Sequence, residues 1–440
     1  MELTIEKLTY GPDAIGHLGN VVVFVDGVIP GDIVDVKIIK KQKNYQRGQV
    51  LKVIKRSEKY VKAPCPVFSV CGGCQWQNLA YKEQLEWKRQ VLSETLAHLG
   101  GIKDFVVSPV IPSKKHFGYR NKVQQPLAML KGEVVSGFYE RGSHNIVPVR
   151  KCMLEAELGS RVIEHAREAI KEHKLDIYNE KTGRGLLRYV IVRTSEAEGT
   201  AMLMFVATDR FKEEESIAKA LMKRNSELKG VMLNINRRRG NVILGEESLC
   251  ITGENHIQER IGGLKFNISA GSFFQANTSQ AEEICKAVGT FAGLTGNETV
   301  VDFYSGVGII GMSLAGKAKE VVMVEESPSA VADALRNQGL NKLGNLKFFE
   351  GKVEEVISNS IFPRKADIVV LDPPRQGAGQ EVVNWIKKIK AGKVIYVSCD
   401  TGTFCRDLKY LQESGYKLTA LVPVDMFPQT YHIELVAEFT

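Results

Sequence analysis

The amino-acid sequence predicts an α/β protein. Its C-terminal part is a doubly wound, mainly parallel sheet with an antiparallel last strand, preceded by an OB-like β-barrel and a middle α+β region. Three observations predict it. From about residue 275, strand-like runs alternate with helix-length segments. The first sixty residues hold short β-branched runs separated by Gly and Pro turns, and the stretch between mixes both patterns. With 440 residues, 44% of them hydrophobic and 25% charged, the chain has material for a large core. That composition excludes a disordered chain, a fibre and a disulfide-stapled miniprotein.

In chain order, VVVFVDG (21–27), DIVDVKIIK (32–40) and QVLKVIK (49–55) are the barrel strands, with turns at Asp26-Gly27 and Pro30-Gly31. Lys37 to Lys62 holds ten basic residues and one acid, Glu58, a net of +9 against +8 for the whole chain. Barrels of this kind commonly bind nucleic acid. A lysine-rich strand is equally a solvated edge guarded against aggregation. Residues 78–99 carry Leu79, Leu85, Val91, Leu92, Leu96 and Leu99 at helical spacing, and Gly100-Gly101 stops that helix. The middle region reads as strands at 187–194 and 200–207 and a helix at 215–225.

The C-terminal strands are 299–303, 320–325, 345–350, 366–372, 393–398, 416–425 and 432–439. Only a short link joins the last two, so the final strand reverses direction. The expected domains are 1–60, 61–270 and 271–440. No run of 18 apolar residues suggests a membrane helix. Glu2 and Glu6 stand where a signal peptide needs positive charge, so the expected location is the cytoplasm, where thiols stay reduced.

The first C-terminal strand runs into Tyr304-Ser305-Gly306-Val307-Gly308-Ile309-Ile310-Gly311, a G-x-G-x-x-G turn between strand and helix. Glycines there let backbone approach a ligand closely, and Glu325, at the end of the next strand, is placed to accept from ribose hydroxyls. The pair fits a dinucleotide or S-adenosylmethionine. Leu371-Asp372-Pro373-Pro374-Arg375 ends the fourth strand, and a Pro-Pro pair fixes the backbone beyond Asp372. A rigid turn with a solvated Asp would read the same way, but Asp-Pro-Pro beside the glycine loop is more typical of nucleic-acid methyltransferases than of dehydrogenases. Cys399 follows the fifth strand and Glu434 lies in the last. Taken alone, a cysteine is more often inert core. Beside a methyl donor, a thiol and a carboxylate suggest methylation of a pyrimidine C5. Thiolate addition at C6 makes C5 nucleophilic, and a base then removes the C5 proton.

Cys65, Cys71 and Cys74, with Cys152 as a fourth, form a thiolate set whose spacing alone suggests zinc or an iron–sulfur cluster, with zinc the default. Cys250, Cys285 and Cys405 read as packed thiols. Candidate RNA contacts are Arg120-Asn121-Lys122, Arg141-Gly142-Ser143-His144, Arg237-Arg238-Arg239 and Phe273, although each basic run is also an ordinary solvated face.

These residues resemble the RNA uracil-C5 methyltransferase family, close to bacterial 23S ribosomal-RNA enzymes. The matching motifs are SFFQANTSQAEE (272–283), DFYSGVG (302–308), LDPPRQG (371–377), YVSC (396–399) and FPQTYHIE (427–434). The resemblance implies a TRAM barrel over the first sixty residues, a Rossmann-like methyltransferase sheet, and packing of 83–114 with the catalytic domain. It implies Cys399 as nucleophile, Glu434 as base, and Gln275, Tyr304, Glu325, Asp372, Gly306 and Gly308 as S-adenosylmethionine contacts. It replaces the zinc default with a [4Fe-4S] cluster on Cys65, Cys71, Cys74 and Cys152. Arg120, Lys122 and Phe273 would meet a structured RNA, its target uridine flipped out, with the protein a monomer. Two departures stand out: Cys-Asp-Thr-Gly-Thr (399–403) lacks a Pro common after Ser-Cys, and Ile309 replaces a common Thr. The alternatives are cytosine-C5 or transfer-RNA methylation, and an RNA-binding assembly factor with a vestigial catalytic domain.

Overall fold

In the computed structural model, which describes residues 1–440, the chain folds as two units that are not contiguous in sequence. The first comprises Met1–His116, Pro374–Val383 and Tyr396–Thr440; the second comprises Phe117–Pro373 and Asn384–Ile395.

The first unit contains the predicted barrel. Its sheet runs in the order Glu2–Thr4, Ile33–Lys41, Tyr45–Lys55, Val21–Asp26, Asp13–Leu18, Lys7–Leu8. Val21–Asp26 and Tyr45–Lys55 pair in parallel, and three register shifts between Ile33–Lys41 and Tyr45–Lys55 increase the local twist. Val23, Val25, Ile29, Val34 and Val36 fill the interior together with Trp76 and Leu79. Lys37, Lys40, Lys41, Lys52 and Lys55 are exposed on these strands, with Ile39 and Leu51 exposed among them. The predicted helix spans Tyr81–Thr95, continues through a π turn at Leu96–Gly100, and stops at Gly101, whose φ of 75° suits a residue without Cβ. It packs on the helix Thr401–Glu413, where Cys405 Sγ lies 3.7 Å from the Thr95 carbonyl.

The same unit holds Glu434–Phe439, antiparallel to Leu418–Val424 with Glu434 opposite Val424, which is the expected reversal of the last strand. Glu434–Phe439 neighbours the strand Lys393–Ser398, which begins in the second unit and ends in the first.

The second unit carries a seven-stranded sheet in the order Glu247–Gly253, Leu228–Ile235, Thr200–Ala207, Leu187–Ser195, Lys122–Leu130, Glu133–Tyr139, Ile146–Pro148. The helices Glu157–Glu172 and Glu214–Arg224 pack on it over Val190, Val192, Leu203 and Phe205. Beyond the helix Thr278–Ala292 come four parallel strands in the order Leu346–Glu350, Glu320–Glu325, Thr299–Phe303, Ile368–Leu371. Strand order reverses between Thr299–Phe303 and Ile368–Leu371, and in such sheets the loops leaving those strands flank the ligand crevice. No helix is long and apolar enough to cross a membrane.

Candidate active site

In the second unit, the loop after Thr299–Phe303 turns sharply. Tyr304, Gly306 and Gly308 have φ of 62°, 56° and 90°. For Tyr304, with its Cβ, that conformation costs about 1–2 kcal/mol, and such strain clusters at ligand sites. Glu325 braces the loop: its carboxylate accepts from the N–H groups of Gly306 (2.9 Å) and Ser327 (2.8 Å). Gly311 is needed for close packing, because a side chain there would run into Met323 Sδ and Asp302 Oδ2.

The fully buried Asp302 accepts from Gly311 N–H at 2.9 Å, while its other oxygen meets no donor. Burial, with Asp372 next and Glu325 further off, pushes its carboxyl up to about 8. Burial alone pushes Asp372 up to about 7, and burial likewise takes the neighbouring Cys285 thiol up to about 12. None of the three carboxylates forms an ion pair. A cationic ligand is what this set accommodates, and S-adenosylmethionine carries a sulfonium and an ammonium. The residues therefore fit the methyl donor, whose activated methyl group is the chemistry it would supply here. Gln275 lies in the preceding segment, where its carbonyl accepts from Asn121 Nδ2 at 2.8 Å.

In the first unit, Cys399 directly follows Lys393–Ser398 and is half-buried. Asp400 caps the next helix, its carboxylate accepting from Thr403 N–H at 2.9 Å. The Cys399 carbonyl accepts from the hydroxyl of Tyr10, a barrel residue, at 3.1 Å. Burial and the Asp400 carboxylate raise the Tyr10 hydroxyl above its usual range, so it stays a donor. The Tyr10 ring also meets Tyr431 edge-on, centroids 5.9 Å apart. Tyr10 thus touches both the segment that bears Cys399 and the loop that leads to Glu434.

That loop is held at several points. Lys88 Nζ lies 2.5 Å from Asp425 Oδ1, both side chains fully buried, and also donates to the Phe427 carbonyl at 3.1 Å. Tyr81 donates to Asp425 Oδ2 at 2.7 Å. Burial pulls the Lys88 ammonium down and Asp425 opposes that shift. Gln429 sits at φ 71°, with its N–H and amide oxygen bonded to the Gln84 side chain and its carbonyl accepting from Gln75 and Trp76 N–H. Glu434 itself is 3% exposed.

The segments that bear Arg120, Lys122 and Phe273 adjoin in the second unit. Between Arg120 and Lys122, Asn121 donates from its backbone to Ala276 and from its side chain to Gln275, three and two residues beyond Phe273. The Phe273 ring is 67% exposed, as a stacking surface must be. By contrast, Arg237 pairs with Asp209, Arg238 with Glu246 and His144 with Glu180, all exposed, as solvated faces do. Cys285 and Cys405 are packed thiols as expected, but Cys250 is exposed on the edge strand Glu247–Gly253, whose outer side has no neighbour to cover it.

Cys65, Cys71 and Cys74 share one loop of the first unit, where Gly73 N–H donates to Cys71 Sγ at 3.4 Å, and Cys152 belongs to the second unit. None of the eight cysteines is in a disulfide. Thiolate donors with an N–H···S bond suit a metal chemically. The side chains as placed, however, bring no three His, Cys, Asp or Glu together in a metal-holding group.

Tyr10 and the Lys88–Asp425 pair had no signal in the sequence, whereas Asp302 and Gln429 stand inside the DFYSGVG and FPQTYHIE motifs.

The parallel sheet, the strained glycine loop and the carboxylates beneath it define a nucleotide-cofactor enzyme of the methyltransferase class. Residues 80–437 match the family model described as tRNA (uracil-5-)-methyltransferase, and residues 1–51 match the TRAM domain. The chain belongs to that family and is an S-adenosylmethionine-dependent RNA uracil-5-methyltransferase. It is 38% identical over 439 residues to an uncharacterized RNA methyltransferase of Bacillus cereus, covering 99% of this chain and 96% of that one. It is 39% identical to another of Clostridium tetani, covering 97% and 93%. A crystal structure of tRNA (uracil-54, C5)-methyltransferase from Pyrococcus abyssi, in complex with S-adenosyl-L-homocysteine, superposes with a TM-score of 0.80 at 30% identity, covering 100% of both chains.

Proposed function

We propose that this enzyme methylates C5 of a uridine in 23S ribosomal RNA, with Cys399 as nucleophile and Glu434 as base. The observation that carries the mechanism is that Tyr10 and the Asp425–Gln429 clamp hold the Cys399 segment and the Glu434 loop in one unit. The Cys399 thiolate adds to C6 of the flipped uracil, and the electron pair of the C5=C6 bond moves to C5. C5 takes the methyl group as the carbon–sulfur bond of the donor breaks and its electrons stay on sulfur. Glu434 then takes the C5 proton, the C6–S bond breaks, and Cys399 leaves as thiolate. Asp302, Asp372 and Glu325 hold the cationic donor with Gln275, Tyr304, Gly306 and Gly308, while Arg120, Lys122 and Phe273 contact the RNA.

The test is covalent trapping. The wild-type enzyme should form an adduct with 5-fluorouridine RNA, and Cys399→Ala should form none while still binding the donor. A surviving adduct removes Cys399 from this role. Transfer RNA is the second reading, favoured by the substrate in the name of the Pyrococcus enzyme. Mapping of 5-methyluridine in ribosomal and transfer RNA with and without the enzyme separates the two. The reading also includes a [4Fe-4S] cluster on Cys65, Cys71, Cys74 and Cys152 in a cytoplasmic, monomeric protein; cysteine spacing and the bond from Gly73 N–H to Cys71 Sγ support the cluster. Anaerobically purified protein should then be brown and contain iron and sulfide; colourless, zinc-loaded protein refutes it.

A further inference from the structure

Lys122 and Arg193 stand directly opposite each other in the antiparallel pairing of Lys122–Leu130 with Leu187–Ser195. Like charges so placed repel, yet neither residue forms an ion pair. Arg193 is buried, and Nη2 donates to the Ser272 carbonyl at 2.6 Å, but Nε and Nη1 meet no acceptor. Leaving buried donors of a charged group unmet is destabilising. The acid that bears on Arg193, Asp333, is already occupied by Ser269, Ser272 and Arg336.

Lys122 is half-buried and forms the accessible side of the pair. Burial and the Arg193 charge push its ammonium down to about 7, as expected for a cation that lacks a counter-charge. The segment that accepts from Arg193 at Ser272 continues into the exposed ring of Phe273. Two cations without counterions beside an exposed aromatic ring are what an unpaired nucleotide requires, phosphate on the cations and base on the ring.

We propose that Lys122 and Arg193 form an anion subsite that takes one phosphodiester of the substrate RNA beside the nucleotide stacked on Phe273. This rests on the RNA-methylating reading above and adds Arg193 and the ligand chemistry to it. The test is fluorescence anisotropy of the full chain with a labelled, uridine-containing hairpin between 50 and 200 mM KCl. Lys122→Gln should weaken binding roughly tenfold and lower the slope of log K against log salt by about 0.7, the share of one phosphate on a single strand. Arg193→Met should do the same, and if it fails to fold, Lys122→Gln decides. Donor affinity by calorimetry should stay within twofold in Lys122→Gln. Unchanged RNA affinity and salt slope in folded Lys122→Gln overturns the subsite. If wild-type protein forms no 5-fluorouridine adduct but the binding difference stands, the proposed reaction falls and the subsite survives.

Discussion

Around the glycine loop, Asp302, Asp372 and Glu325 present three carboxylates with no cation paired to them, whereas the loop leading to Glu434 is tied down by Lys88 on Asp425 and Gln84 on Gln429. The first region holds carboxyls that burial keeps protonated in the absence of a cation and that an arriving cationic donor would favour in their ionised form. The loop of the second is held without a ligand, by an ion pair and hydrogen bonds within its own unit. On the proposed assignment, binding energy would be used where the cofactor is captured, and internal hydrogen bonding where a proton is received at a set position.

The sharpest way to break this contrast is at the base. Glu434→Gln should lower turnover by about 10²–10⁴-fold, the usual worth of a general base. It should also accumulate the ordinary enzyme–RNA adduct, read as a shifted band on a denaturing gel; unimpaired turnover removes Glu434 from the mechanism. Next comes the clamp. Lys88→Met leaves Asp425 buried without its partner and should cost about 3–5 kcal/mol in chemical denaturation. The double variant with Asp425→Leu should recover much of that, and equal losses in both would show the pair is not what matters.

The donor side predicts a pH effect with a definite sign. Carboxyls raised to about 8 and about 7 keep protons that the unfolded chain has already lost. Stability of the donor-free protein should therefore fall as pH rises from the ordinary carboxylate range through those values. Donor binding favours the ionised forms, so it should release protons and tighten with pH through the same window, by less than about tenfold per unit. Calorimetry in buffers of different ionisation enthalpy measures the release, which Asp302→Asn should reduce. The smallest effect is expected at Tyr10→Phe. Losing one hydrogen bond of about 1 kcal/mol should slow adduct formation about fivefold, with RNA affinity unchanged by anisotropy.

The parallel strands were legible because each is a short, unbroken apolar run between glycines and prolines; Thr299–Phe303, Glu320–Glu325 and Lys393–Ser398 lie where the pattern put them. Lys122–Leu130 and Glu157–Glu172 were not read. Pro126 interrupts the strand, and Gln124 and Gln125 mask its alternation, while the helix starts with no capping side chain. In the site, motif residues such as Glu325, Asp372 and Cys399 were legible because strand ends announce them. Tyr10 and Arg193 were not, since one matters through a residue 389 positions away and the other through cross-strand register. Pairings of that kind leave no local periodicity.

The discontinuity of the first unit has a consequence for biosynthesis. Phe117–Pro373 makes up most of the second unit and leaves the ribosome well before Cys399 and Glu434 do. The strands around the glycine loop can therefore gather during translation, while the barrel waits for the segment Tyr396–Thr440 with which it forms one unit. Closing contacts across such separations is slow. A newly made chain should accordingly acquire cofactor affinity first and the ability to attack RNA last, so that an unfinished enzyme is inert toward the transcripts around it.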